Sequence, residues 1–183
     1  MKQFIALLLF LGTISIYAQE KYITKSGKLI FEASVPSFEE VKAINESTTA
    51  ILNTENGDIA ALVLVKGFRF KNALMEEHFN ENYAESDLYP KATFQGNIKN
   101  LIIDGLDDTK IRKVLIVGQL NFHGVSKQVS HIEANISKKG ETIFIEGSFI
   151  ILASDFNIKI PAIVKNKLSN EVHVVFHFEL DIK

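Results

Sequence analysis

The chain of 183 residues contains no cysteine, no tryptophan and only three prolines. Without thiols there are no disulfides, no thiolate metal sites and no cysteine nucleophile, so stability has to come from burial and backbone hydrogen bonding. An excess of charge is also missing: 20 Lys and Arg stand against 22 Asp and Glu, a formal net charge of -2. That balance offers no electrostatic footprint for a phosphate backbone and argues against a nucleic-acid partner. Apart from the N-terminal segment, no stretch approaches the ~18 consecutive apolar residues of a membrane-spanning helix. What is present is 46% apolar residues and fourteen Phe, enough for one compact domain of ~100–200 residues with a real core.

Lys2 is followed by an apolar run from Phe4 to Tyr17, interrupted by Gly12, Thr13 and Ser15. This run is too short to span a bilayer but has the length and basic start of a secretory signal. Cleavage is expected after Ala18, which divides the chain into a signal peptide over 1–18 and a domain over 19–183. Ile16 is larger than the residue usual three positions before a cut. No cysteine follows the run, so no lipoprotein attachment site exists and the product is expected to be periplasmic or secreted.

From there on the chain reads as strands. Leu29, Phe31 and Ala33 alternate with Lys28, Ile30, Glu32 and Ser34, the period of two of a half-buried strand. Phe94 and Ile98 repeat the pattern, as do Ile132, Ala134 and Ile136, and most clearly Val172, Val174, Phe176, Phe178 and Leu180. Two nearly continuous apolar runs, 111–122 and 143–152, are expected to point Leu120, Phe122, Ile143, Ile145, Phe149 and Ile151 inward. Turn signals fall between the runs at Glu55-Asn56-Gly57-Asp58, Asp104-Gly105, His123-Gly124 and Lys138-Lys139-Gly140-Glu141, which predicts antiparallel hairpins. One segment differs. Met75, Phe79 and Tyr83 recur with spacing four, predicting a short helix over 72–86, with Asn72 as N-cap and Pro90 soon after its end. The fold class is therefore all-β with one short helix, and pattern alone leaves barrel and sandwich open.

The groups that could carry chemistry are sparse. His173 and His177 lie on a strand, ~13 Å apart at ~3.3 Å per residue, too far to share one ion. His78 has no partner of fixed geometry in the sequence around it. Ser86-Asp87 and Ser154-Asp155 resemble parts of a hydrolase site in residue type only, and there is no GxSxG elbow, phosphate-cradling glycine loop or HExxH motif. No catalytic residue, metal site or cofactor is expected. The Asn-x-Ser matches at Asn45 and Asn135 read as strand or turn residues.

Phe70-Lys71-Asn72-Ala73-Leu74-Met75, Glu77-His78-Phe79-Asn80-Glu81-Asn82-Tyr83, Glu85-Ser86-Asp87 and Tyr89-Pro90-Lys91-Ala92-Thr93-Phe94 follow one another in an order that resembles the YceI-like family. The hairpin from Gly118 to Lys127 and the segment Ser154-Asp155-Phe156-Asn157-Ile158 with Ile160-Pro161 continue the likeness, in a form similar to the family's Bacteroidetes-type subgroup. The resemblance implies an eight-stranded antiparallel lipocalin-like barrel, a lumen able to hold a polyisoprenoid chain, such as that of a quinone or polyprenol, or another long-chain lipid, and a homodimer as an assembly found in the family. On that basis the ligand-binding wall is expected at Phe31, Phe94, Leu120, Phe122, Phe149, Phe176 and Phe178. Phe68 and Phe70 join it if a bulge separates them from Lys66, which shares their strand parity. The helix is expected to cover one opening. The alternative is an exported structural or stress protein of the same pattern with a filled core, no ligand and no catalysis. The same inward rings would line a cavity or plug it.

Overall fold

A computed structural model describes residues 21–36, 38–107 and 110–183; the apolar N-terminal run and the expected cleavage position lie outside them. The described residues form nine strands: β1 Lys21–Ser34, β2 Lys42–Asn53, β3 Asp58–Leu64, β4 Arg69–Phe70, β5 Lys91–Ile98, β6 Arg112–Phe122, β7 Val125–Lys139, β8 Thr142–Leu152 and β9 Leu168–Ile182. One helix, α1, covers Ala73–His78. Neighbours run in the order β1-β9-β8-β7-β6-β5-β3-β2, and β2 pairs back onto β1. Eight strands thus close an antiparallel barrel without free edges, as the resemblance implies, while β4 adds a two-residue pairing to the first half of β2.

The turn signals sit where expected. Phe122 pairs with Val125 around His123-Gly124, and Lys139 with Thr142 around Gly140-Glu141. Gly57, Gly105, Gly124 and Gly140 all adopt positive φ. The strand faces also follow the alternation, with Ile132, Ala134, Ile136, Ile143, Ile145 and Leu180 buried. What alternation did not reveal are two adjacent register shifts. The inward set of β1 runs Tyr22, Thr24, then Gly27, while that of β2 runs Ala43, Asn45, then Thr48. Asn45 holds the second shift: its Oδ1 accepts from the Ser47 N–H at 2.8 Å, and its Nδ2 donates to the Leu64 carbonyl at 3.2 Å. Fully buried, with both its amide oxygen and its amide nitrogen bonded, Asn45 is a structural pin and not a glycan acceptor.

The helix is shorter than the expected 72–86. Asn72 caps it, its Oδ1 accepting from the Leu74 N–H at 2.9 Å. Regular helix ends at His78, and a π-helical turn follows over Phe79–Tyr83. There the Asn80 side chain donates to the Glu76 carbonyl at 2.9 Å while the Ala84 N–H reaches the Phe79 carbonyl at 2.8 Å. That extra residue widens the last turn, and Glu85, at φ 43°, ends it.

All four connections on one end of the barrel, 35–41, 65–90, 123–124 and 153–167, belong to the same rim, because the strands alternate in direction. The other end carries the β2–β3, β5–β6 and β7–β8 turns. Its interior is solid, packed by Tyr22, Leu52, Ile98, Leu106, Ile136, Ile143 and Leu180.

Candidate functional site

The barrel is filled at one end and hollow at the other. A cavity of about 330 Å³ occupies the end bearing the helix. Its floor is the top of the packed core, where Ile59, Ile116, Ile132, Phe176 and Phe178 belong to both. All nine residues expected from the sequence line it: Phe31, Phe68, Phe70, Phe94, Leu120, Phe122, Phe149, Phe176 and Phe178. Phe68 and Phe70 face inward, though through a break in the strand and not the bulge expected. A 3-10 turn over Val65–Gly67 shifts the parity, so Lys66 turns outward to Asp87 while Phe68 is buried.

The rings are arranged along the wall. The Phe94 ring lies over Gly96 and Gly118, which face each other across β5 and β6; a Cβ at either glycine would meet the ring within 2.7 Å. Glycine at these points lets an aromatic side chain lie back against the sheet. A second group joins the strands to the helical insertion: the Phe79 ring packs against Phe31 at 5.1 Å, Phe70 at 5.2 Å and Phe68 at 6.0 Å between centroids. The stripe of Met75, Phe79 and Tyr83 therefore faces the cavity, and the helix sits on the rim with its apolar side turned inward. Glu76 ties it down, accepting from the Phe70 N–H at 3.1 Å and from Arg69 Nη1 at 3.0 Å.

The opposite side of the rim was not anticipated as lining. Ile158, Ile160, Val164 and Lys167 come from the irregular segment before β9, and Leu168 opens that strand. Only the brief alternation of Ile158 and Ile160 around Lys159 could have signalled it, and two residues do not make a period.

Both rim segments are held by His123. Its Nδ1 donates to the Phe156 carbonyl at 2.8 Å, and its Nε2 lies 2.7 Å from Glu85 Oε2. Tyr89 packs edge-on at 4.5 Å. His123, its partner Glu85 and Asn157, the residue after Phe156, all have φ between 43° and 60°, so the rim stores backbone strain where the segments meet.

The remaining polar motifs do not converge. His173 and His177 stand on the outer face, His177 3.5 Å from Glu146. Ser86 is buried and Asp87 exposed toward Lys66. Ser154 Oγ accepts from Asn170 Nδ2 at 3.1 Å, and Asp155 faces Lys127 at 3.9 Å. Among the described residues no group of three or more His, Cys, Asp or Glu is placed to hold a metal ion, and no helix is long and apolar enough to cross a membrane.

Fold and cavity together define a closed eight-stranded barrel with an apolar internal pocket framed by a helix on its rim. The YceI-like domain model matches residues 23–180, and the chain belongs to that family. Three solved structures share the fold. A polyisoprenoid binding domain from Saccharophagus degradans implicated in plant cell wall breakdown is 15% identical with a TM-score of 0.78, covering 91% of this chain and 100% of its own. BcnA of Burkholderia cenocepacia is 17% identical with a TM-score of 0.68, covering 84% and 95%. The YCEI protein of Campylobacter jejuni is 18% identical with a TM-score of 0.64, covering 81% and 89%. A comparison with curated proteins gives no match.

Proposed function

We propose that this protein is a periplasmic or secreted carrier that holds an isoprenoid or other long-chain lipid in the hollow end of its barrel, without catalysis. The observation that carries the reading is the apolar cavity above a solid floor. Its volume falls at the lower end of the ~300–1,000 Å³ of small-molecule sites. By proportion with a ~150 Å³ apolar cavity that accepts a benzene, it takes on the order of a dozen carbons, a segment of a chain whose remainder leaves through the rim. Each buried methylene contributes ~0.8 kcal/mol, so a dozen give about 10 kcal/mol against the ~4–15 kcal/mol of freedom lost on association. A chain of this kind needs no strong polar contact to bind, and the lumen selects girth and length.

Family membership supports the reading, as does the Saccharophagus degradans domain, described as polyisoprenoid binding. Export rests on the apolar run behind Lys2. A two-fold pair of chains is the assembly the family resemblance implies, to be read by light scattering. The test of function is to purify the protein from a bacterial periplasm, extract it with organic solvent and identify the extract by mass spectrometry. A prenyl or acyl lipid in near-stoichiometric amount is expected. A clean extract from protein that also fails to take up an apolar fluorescent reporter would leave only the structural role.

A further inference from the structure

The cavity wall is polar at six residues only, Thr48, His78, Tyr83, Thr93, Lys167 and Ser169, and none of its lining residues is Asp or Glu. The titratable groups in that set stand at the rim. His78 and Tyr83 come from the helical insertion, Lys167 from the segment facing it before β9. Lys167 is exposed and forms no ion pair with any described residue, and the same holds for its neighbours Lys159 and Lys165. Asp155, an acid of the same segment, already faces Lys127. On the helix, Glu76 is taken by Arg69, while the exposed Glu77 and Glu81 are absent from the lining. The exit of an apolar lumen is thus marked by an unmatched cation, an imidazole and a phenol, and no acid lines it.

Building on the lipid-carrier reading, we propose that the guest is an amphiphile with an anionic head, a carboxylate or a phosphate. Its chain occupies the lumen and its head is met at the rim by Lys167, with His78 and Tyr83 on the other side. An ammonium group can donate to such a head from any direction, and it has no competing carboxylate among the lining residues. A cationic head at the same place would meet the like charge of Lys167, and a neutral hydroxyl would gain no ionic contact.

The test uses one chain length and several heads. The full chain, freed of co-purified lipid on a hydrophobic resin, is loaded with the neutral reporter N-phenyl-1-naphthylamine. Displacement is measured with dodecanoate, dodecyl phosphate, dodecanol and dodecyltrimethylammonium, all below micelle-forming concentration. Dodecanoate or dodecyl phosphate is expected to displace the reporter ~5- to 10-fold more tightly than dodecanol, with the ammonium weakest. Whichever of the two anions binds better identifies the head. Lys167→Gln, a change at an exposed position, is expected to remove most of that advantage, read as the ratio of anion to dodecanol affinity within the variant. If all four heads bind alike, or if Lys167→Gln leaves the anions unaffected, the head assignment is wrong and the apolar carrier stands. If none displaces a bound reporter, or the reporter itself does not bind, the carrier reading falls with it.

Discussion

The ring of Phe176 lies against Gly147, its register partner on β8: a Cβ at Gly147 would stand 2.6 Å from the ring's Cζ and 2.8 Å from the Glu133 carbonyl oxygen. Phe176 is both floor and wall of the cavity, so the small residue behind it sets how far the ring keeps out of the lumen. Gly147→Ala is expected to push the ring inward and to strain the backbone against Glu133, which cannot yield as a side chain could. A loss of about 1–3 kcal/mol in urea unfolding, together with weaker reporter uptake, is the expected result.

Filling the lumen separates binding from folding. Leu120 lines the cavity on β6, and Leu120→Trp adds bulk where there is empty volume. Co-purified lipid should fall about tenfold or more, while unfolding free energy changes by less than ~1.5 kcal/mol, because the new ring occupies space and displaces no packed neighbour. Quantitative lipid extraction beside a denaturation curve checks both halves.

One ring, Phe79, carries the aromatic packing of the helical insertion. Phe79→Ala removes three aromatic contacts at once, each worth ~0.5–1.5 kcal/mol. A cost of about 2 kcal/mol is expected, with faster reporter exchange and raised hydrogen exchange over 73–84. Unchanged exchange there would mean that Arg69, Phe70 and Glu76 hold the helix by themselves.

His123 joins the two rim segments. His123→Asn tolerates the positive φ of this turn position but cannot span from Phe156 to Glu85. The Phe156 carbonyl then loses its partner, at an expected cost of ~1–3 kcal/mol in urea unfolding. Amides near 85–89 and 156–158 should exchange faster, with those of Ile136 and Ile143 unmoved.

Much of this fold was legible in the residues. Alternation at Val172 to Leu180 fixed which side chains of the last strand face inward, since a pleated chain gives each residue one of two faces. Positive φ at His123-Gly124 and Gly140 followed from the only turns that match strand twist over two residues. The spacing of Met75, Phe79 and Tyr83 identified the face that the helix turns to the cavity. Other features were hidden because they are made by partners distant in sequence. The shift at Asn45 depends on Leu64, the buried place of His123 depends on Glu85 and Phe156, and the unpaired state of Lys167 depends on where every acid of the rim ends up.

The sequence by itself determined that strands form, which residues they turn inward and where they reverse, because these follow from period, propensity and backbone sterics within a few residues. Whether the inside is empty was decided only by the tertiary structure. Ile136 and Ile143 face the axis just as Phe94 and Leu120 do, yet the first pair meets packed neighbours and the second pair borders open space. Enclosed volume depends on how far the walls stand apart and which rings lie back against glycine on a neighbouring strand, and both are properties of the closed barrel.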